Sequence, residues 1–171
     1  MKLKQYNGYH GTEKSFADRI IQTSFVVNTR HQGSLGTGIY FLEENKDLTR
    51  EYARFRHPNK IIKILDCKIE VSENEVFDTT TPEHREIYKV YKDIIREMMK
   101  ENGYDFQYGY RNSFDGAVYD YLAKDKGYLL IRAETFTPSI EERELKIRSN
   151  VPNGVELCLR NPIKVIDKQI V

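Results

Sequence analysis

The amino-acid sequence predicts an α+β protein with mainly antiparallel strands. Strand-like and helix-like segments alternate through the first two thirds of the chain, and four strand-like segments joined by turns follow. Turns of hairpin length, such as 151–154, favour antiparallel pairing over a doubly wound parallel sheet. The 171 residues contain no repeat, low-complexity tract or linker, so we expect one domain spanning 1–171.

The first half of the chain predicts three strands and two helices. A short strand ends near His10, and the apolar residues of 13–23 recur with the period of a helix. A polar, glycine-rich loop follows. The remaining elements are a strand at 38–43, a helix at 45–55 and a strand at 60–71, in whose second half apolar and charged residues alternate.

One long helix dominates the second half of the sequence. Thr81 and Pro82 supply a cap and a first turn, and Gly103 supplies a stop, so we expect a core-facing helix over 81–103. The elements expected after it are a shorter helix at 113–124 and strands at 128–136, 144–149, 155–160 and 163–171.

The composition indicates a soluble, globular protein, with 39% hydrophobic and 31% charged residues. A net charge of +1 predicts no general attraction to nucleic acid or membranes. Apolar runs fall far short of the roughly 20 residues that span a bilayer, and the first residues lack the apolar core of a signal peptide. We therefore expect a cytoplasmic protein. Cys67 and Cys158 could pair, but buried free thiols are the expected state, and neither has metal-ligand spacing.

Three short segments carry residues that suit a binding site. They are YHGT at 9–12, GTGIYF at 36–41 with the helix that follows, and VELCLRNP at 155–162. Taken singly, a histidine, a tyrosine and a glutamate in these positions fit ordinary structural roles. The glycine-rich loop lacks both the spacing of a dinucleotide fingerprint and the lysine of a P-loop, so it does not predict a conventional phosphate cradle.

Taken in order, the three segments resemble the H-Y-E class of ADP-ribosyltransferases, which comprises diphtheria-toxin-like and poly(ADP-ribose)-polymerase-like enzymes. That class has His-Gly-Thr on a first strand, Gly-x-Gly-Ile-Tyr-Phe on the next, and a glutamate early in a late strand. The matching residues here are HGT at 10–12, GTGIYF at 36–41 and Glu156. The resemblance implies two packed, mainly antiparallel sheets flanked by helices, a cleft for NAD⁺ as co-substrate, and no metal.

The resemblance also assigns roles to the residues of the first two segments. Gly11 would hold the nicotinamide carboxamide through its backbone N–H and C=O, where a side chain would obstruct close approach. His10 would hydrogen-bond the adenosine ribose as a fixed donor. Thr12 and Gly38 complete the NAD⁺-binding residues implied by these segments.

Two tyrosines and one glutamate complete the implied site. Tyr40 and Tyr52 would pack against opposite faces of the nicotinamide ring, with a spacing one residue longer than in the polymerases. Glu156 would bind the nicotinamide ribose and stabilise the positive charge that develops at C1 when the glycosidic bond breaks. The implied catalytic residues are therefore Glu156, His10 and Tyr40.

A second glutamate competes for the catalytic role. Glu142 and Glu144 form an E-x-E pair similar to that of the R-S-E class of the same superfamily. That class also requires an arginine on the first strand and a Ser-Thr-Ser strand, and the sequence has neither. We therefore prefer Glu156 and interpret 141–144 as a solvated, charged turn.

The acceptor is less well defined by the sequence. We expect mono-ADP-ribosyl transfer to nucleic acid or protein by a small bacterial or phage-type enzyme, as in toxins and phage-defence effectors, which can have an antitoxin partner. The alternatives are an NAD-dependent RNA 2′-phosphotransferase, an NAD⁺ hydrolase, and a non-catalytic module that binds NAD or ADP-ribose. Basic residues at 50–60, beside Tyr52 and Phe55, fit either phosphate binding or a solvated helix face.

Overall fold

Seven strands form one mixed sheet in the parts of the chain that the structure, a computed structural model, describes: residues 2–103 and 114–171. The strands are β1 (Leu3–Glu13), β2 (Ile39–Glu43), β3 (Ile62–Ser72), β4 (Val76–Asp78), β5 (Leu130–Thr135), β6 (Gly154–Leu159) and β7 (Val165–Ile170). Their order is β4-β5-β6-β2-β1-β3-β7, and every neighbouring pair except β4–β5 is antiparallel. The α+β class is therefore confirmed.

The strands do not form the two separate sheets that the sequence led us to expect. β1 and β2 pair only at Gly8–Glu43 and Tyr9–Leu42, whereas β1 pairs with β3 along its whole length. This short ladder joins the half of the sheet that contains β4, β5, β6 and β2 to the half that contains β1, β3 and β7. Which strands pair is set by tertiary packing, so the pattern within each strand could not distinguish one weakly joined sheet from two.

Five α-helices accompany the sheet in the described residues. They are α1 (Lys14–Gln22), α2 (Lys46–Arg56), α3 (Pro82–Asn102), α4 (Phe114–Lys126) and α5 (Ile140–Glu144). The caps predicted for α3 are confirmed, because the Thr81 side chain accepts from the His84 N–H and Gly103 ends the helix with a φ of 62°. Position 113 of the predicted 113–124 helix lies outside the described residues.

Three sequence predictions of secondary structure were wrong: the end of the first strand, the strand at 144–149, and the turn at 141–144, which is helical as part of α5. β1 continues past His10 to Glu13, so the histidine lies inside the strand rather than at its end. The strand predicted at 144–149 is absent from the described structure. A reciprocal capping box between Ser139 and Glu142 starts α5 just before it, and Lys146 has a left-handed φ of 56°. These local conformations override the weak alternation of 144–149.

The two faces of the sheet carry separate cores. On the face covered by α1, called the α1 face, the core contains Phe41, Leu65 and Leu157. On the opposite face, called the α2 face, α3 and α4 cover Ile131 and Cys158, while α2 covers β1 and β3. On this face, β2 and the beginning of β6 lie between the two helical covers.

The two cysteines are buried free thiols, as predicted. Cys67 belongs to the core of the α1 face and Cys158 to that of the α2 face, so the sheet separates them. Burial raises the pKa of Cys67 to about 12 and that of Cys158 to about 11. Both thiols are therefore protonated and unreactive at neutral pH. Separately, none of the helices in the described residues has the length and apolarity needed to cross a membrane.

Candidate functional site

The backbone groups of Gly11 point toward β2 rather than β3. Even-numbered residues of β1 hydrogen-bond with β3, a pattern that continues where the Lys14 N–H donates to Ile61 O at 2.8 Å. Odd-numbered residues therefore direct their N–H and C=O groups to the other side, as Asn7 does when its carbonyl accepts from Glu44 N–H at 3.2 Å.

The His10 side chain interrupts the hydrogen-bonded ladder between β1 and β2 beside Gly11, and we call the resulting gap the opening. The ladder between these strands ends at Tyr9–Leu42, although both strands continue beyond it. If the ladder continued in the same register, the carbonyl oxygen of Tyr40 would accept a hydrogen bond from the Gly11 N–H. Tyr40 O instead accepts from Nδ1 of His10 at 2.8 Å. The imidazole replaces the backbone donor, and the N–H and C=O of Gly11 face the opening.

The His10 ring presents an acceptor at this opening. It packs edge-on against Phe25 and Phe41, with ring centroids 5.2 and 5.8 Å away. Burial lowers the pKa of His10, so the ring is neutral at pH 7, and the proton on Nδ1 leaves a lone pair on Nε2. Nε2 has no hydrogen-bond partner in the described residues, and the His10 side chain is half-buried. The free nitrogen is thus an acceptor, not the donor expected from the sequence.

Close packing accounts for two of the predicted site glycines. A Cβ at Gly11 would lie 2.6 Å from Ala53 Cβ and 3.0 Å from Thr49 O, both on α2. A Cβ at Gly38 would lie 2.6 Å from Cys158 Sγ. Glycine at these positions therefore allows α2 and β6 to approach, a reason that the sequence did not reveal.

Tyr40 is fixed by the glycine-rich loop that precedes β2. Its hydroxyl donates to Gly36 O at 2.6 Å and accepts from the Leu35 N–H at 3.0 Å. A Cβ at Gly33 would lie 2.3 Å from the same hydroxyl, so the loop passes directly over it. The half-buried ring is held in one position, and burial raises the pKa of its phenol.

Asp120 of α4 anchors this loop, a role that the sequence did not predict. Its carboxylate accepts from Gln32 Nε2 at 2.8 Å, from Thr37 N–H at 2.7 Å and from Thr37 Oγ1 at 2.9 Å. It also pairs with the Arg160 guanidinium at 2.9 Å. The partners lie 40 to 88 residues away in sequence, and no local motif links them.

We expect Tyr40→Phe to lower the free energy of unfolding by about 1–2 kcal/mol, because Leu35 N–H and Gly36 O each lose a partner. Urea unfolding measures the change. Tyr121→Phe is the matched control, since Tyr121 is exposed on α4. Equal stability of the two variants would contradict the anchoring role of the Tyr40 hydroxyl.

Glu156 is a half-buried carboxylate on β6, opposite Leu42 and diagonal to Tyr40 on the α2 face. Diagonal neighbours of this kind are about 7–8 Å apart. Ser34 Oγ donates to its Oε2 at 3.3 Å, and no cation of the described residues lies within ion-pair distance. Burial raises the pKa of Glu156, and the Ser34 hydrogen bond opposes this only in part.

The face of β6 that carries Glu156 is more enclosed than the sequence indicated. Strict alternation along the strand would direct Val155, Leu157 and Leu159 toward the core and Glu156 toward a cleft or solvent. Cys158, on the same face as Glu156, is nevertheless fully buried. β6 is a central strand with helices or loops over both faces, so its two faces are both largely buried.

The predicted residues do not all share one face of the sheet. Tyr40 and Glu156 lie on the α2 face, whereas His10 and Thr12 lie on the α1 face. The gap in the β1–β2 ladder beside Gly11 lies between these two strands. Thr12 is buried, and no described residue hydrogen-bonds to its hydroxyl.

Tyr52 lies on the flank of α2 that faces β6. Leu48, one turn earlier on the same flank, contacts the position that a Cβ at Gly154 would occupy, at 3.0 Å. The Arg143 guanidinium lies 5.9 Å from the Tyr52 ring centroid. The competing carboxylate, Glu144, is exposed at the end of α5.

Comparison of the chain with family models, with curated proteins and with solved structures returned no match. Within residues 2–103 and 114–171, no group of three or more His, Cys, Asp or Glu side chains is arranged to hold a metal ion. The function is therefore inferred from the geometry and chemistry of this site.

Proposed function

We propose that the protein is a mono-ADP-ribosyltransferase that cleaves NAD⁺ and transfers ADP-ribose to a macromolecular acceptor. One observation carries the proposal: among the described residues, the backbone edge of Gly11 is free, and it lies beside a fixed tyrosine and near a half-buried carboxylate that has no cationic partner there. A carboxamide has both an N–H donor and a C=O acceptor, so it complements the C=O and N–H of one extended residue.

The surrounding side chains suit the rest of the dinucleotide. Tyr40, held by its loop, offers a flat face to the nicotinamide ring, and Tyr52 covers the ring from α2. The free Nε2 of His10 accepts a hydrogen bond from a hydroxyl of the adenosine ribose. Thr12 adds a hydroxyl on the same side of the sheet as His10.

Glu156 supplies the negative charge that the reaction requires. The bond between C1 of the ribose and the nicotinamide nitrogen breaks, and the electron pair leaves with nicotinamide. Positive charge develops on the sugar, and the carboxylate stabilises it at low local dielectric. The acceptor nucleophile then bonds to C1 and loses its proton, for which Glu156 is the nearest base in this scheme.

Among the residues that the structure describes, Glu156 has no cationic partner, which supports a catalytic rather than a structural role for this carboxylate. A half-buried carboxylate without an ion pair costs folding free energy. In the proposed complex, the positive charge of NAD⁺ lies on the pyridinium ring before the reaction and moves to the sugar, beside the carboxylate, as the bond between C1 and the ring nitrogen breaks. Such an interaction is stronger in the transition state than in the ground state, which is the condition for rate acceleration.

The raised pKa of Glu156 predicts an acid limb in the pH profile of kcat/KM for nicotinamide release. As pH falls through that pKa the carboxylate takes up a proton, so activity falls at a pH above the ordinary value of 4.5. Ser34→Ala removes a hydrogen bond that favours the ionised form and should move the limb to still higher pH. An acid limb at or below pH 4.5 would contradict this assignment.

Incubation with NAD⁺ labelled in the adenosine part, together with separate RNA, DNA and protein pools, tests the proposed function. We expect nicotinamide release and label on one pool. Free ADP-ribose as the sole labelled product would indicate an NAD⁺ hydrolase instead. Label-free pools without nicotinamide release would indicate a non-catalytic binding module, and loss of 2′-phosphate from RNA would indicate the phosphotransferase.

A further inference from the structure

A cavity of about 300 Å³ at the edge of the sheet is lined by four basic side chains. Arg50 and Arg54 come from α2, and Lys60 and Lys63 come from the start of β3 and the turn before it. We call these four residues the basic pocket. The 50–63 stretch that contains it has five basic residues and one acidic residue, in a chain of net charge +1.

The charge of the basic pocket is only partly balanced. Arg50 pairs with Asp47 at 2.8 Å, and Lys60 lies 3.7 Å from Glu13. Among the described residues, no carboxylate lies within 4.0 Å of Arg54 or Lys63. Like charges held together in a concavity favour an anion, because Arg54 and Lys63 have no carboxylate among the described residues that would offset the repulsion.

The basic pocket lies outside the proposed NAD⁺ site. Successive residues of a helix are rotated by about 100° around its axis, so the two-residue step from Tyr52 to Arg54 is a rotation of about 200°. The two side chains therefore point to nearly opposite sides of α2. The Tyr52 flank faces β6, whereas the Arg54 flank faces β3 and the end of β7. α2 therefore separates the pocket from the residues assigned to NAD⁺, and the anion that it fits is a different one.

An exposed aromatic stack lies on the same helix. The Arg143 guanidinium is centred 3.9 Å above the Phe55 ring, and Phe55 is 45% exposed. A planar guanidinium on an aromatic ring presents a flat cationic surface, on which nucleic-acid bases stack. The stack lies on the outer side of α2, between the basic pocket and Tyr52.

We propose that the basic pocket and the Phe55–Arg143 stack bind a single-stranded nucleic acid, which makes a polynucleotide the acceptor of the proposed transferase. The pocket holds backbone phosphates, and an unpaired base packs on the stack. From there the strand continues across α2 toward Tyr52 and Glu156. The flat stack next to the cations favours a polynucleotide over a polymer of carboxylates, because every nucleotide supplies both a phosphate for the cations and a planar base for the stack. The acceptor assignment rests on the proposed function, whereas the binding surface does not.

Fluorescence anisotropy without NAD⁺ tests the binding surface. Labelled single-stranded RNA and DNA of one sequence are titrated at several salt concentrations, with polyglutamate of similar charge as competitor. Three to four phosphate contacts predict a slope of log K against log salt of about −2 to −3, since each contributes about −0.7. Comparison of the two dissociation constants shows whether the surface binds RNA or DNA more tightly.

Arg50→Gln/Arg54→Gln is expected to weaken binding at least tenfold and to reduce the slope by about 1.4, which corresponds to two lost phosphate contacts. Arg96→Gln/Lys100→Gln is the matched control, because it removes equal charge from exposed, ion-paired positions on α3. Phe55→Ala should weaken binding without changing the slope. Equal loss in the two double variants, no binding by the wild type, or full displacement by polyglutamate would overturn the proposal.

The two proposals fail in different ways. Arg50→Gln/Arg54→Gln should leave nicotinamide release without nucleic acid unchanged, because α2 separates the pocket from the NAD⁺ site. Nicotinamide release without nucleic-acid binding would refute the surface and leave the transferase intact. Nucleic-acid binding without nicotinamide release would refute the transferase and leave the surface intact.

Discussion

Replacing Glu156 by glutamine is expected to reduce both nicotinamide release and ADP-ribosyl transfer by about a hundredfold or more. The amide keeps the size of the side chain and can still accept from Ser34 Oγ. It cannot supply the negative charge that stabilises the sugar cation. NAD⁺ affinity should change little, because the proposed nicotinamide contacts of Gly11 and Tyr40 are the same in both proteins. Single-turnover kinetics with calorimetric NAD⁺ binding separate these two effects.

The same variant is expected to be at least as stable as the wild type at neutral pH. The pKa of Glu156 is raised in the folded state, so the protonated form is favoured by folding and the ionised form is disfavoured. The cost is therefore present when pH lies above the folded pKa and absent below the unfolded one. Thermal unfolding at pH 8 and pH 4 should show an advantage of Glu156→Gln only at the higher pH.

Glu144→Gln is the control for the loss of activity predicted for Glu156→Gln. Glu144 is exposed at the end of α5, whereas Glu156 is half-buried on β6. We expect its loss to leave nicotinamide release within about twofold of the wild type, as is usual for exposed sites away from the chemistry. Full activity of Glu156→Gln together with inactive Glu144→Gln would transfer the catalytic role to the loop before β6.

Gly11→Ala is expected to lower both the free energy of unfolding and NAD⁺ affinity. The new Cβ would lie 2.6 Å from Ala53 Cβ and 3.0 Å from the Thr49 carbonyl. α2 must move away from β1, which costs about 1–3 kcal/mol, as overpacking of a core does. Tyr52 moves with α2, so nicotinamide should bind at least tenfold more weakly. Urea unfolding and calorimetry measure the two effects.

Two further variants separate a local clash from a general effect of alanine. Gly154→Ala meets only the flexible end of Leu48, at 3.0 Å, and should cost much less than Gly11→Ala. Ala53→Gly removes the methyl group that the new Cβ would strike. The double variant Gly11→Ala/Ala53→Gly should be more stable than the sum of the single effects by about 1 kcal/mol. Additive losses would contradict direct contact between positions 11 and 53.

Local signals predicted most of the secondary structure. The caps at Thr81 and Gly103 and the periodicity of α1 to α3 depend on neighbouring residues, so the sequence contains them. The strand misplaced at 144–149 had only weak alternation, and the capping box at Ser139 was the stronger local signal. The extension of β1 past His10 depends on pairing with β3, which local sequence does not specify.

From the sequence, the candidate site could be predicted only as a set of residues, without their arrangement in space. His10, Gly11, Tyr40 and Glu156 were identified from short motifs and their order. The opening between β1 and β2 depends on where one ladder ends, which is a tertiary property. The support of the Tyr40 loop by Asp120 joins residues from α4 and a distant loop, and single polar residues of this kind carry no recognisable pattern.

The central claim is that the free backbone edge of Gly11 binds the nicotinamide carboxamide beside Tyr40. The most direct measurement is a titration of ¹⁵N-labelled Glu156→Gln protein with NAD⁺, followed by amide chemical shifts, because this variant should bind without turnover. The account predicts that the Gly11 amide is among the most shifted signals and saturates together with that of Tyr40. Saturating shifts confined to other parts of the chain, with the Gly11 amide unmoved, would contradict it.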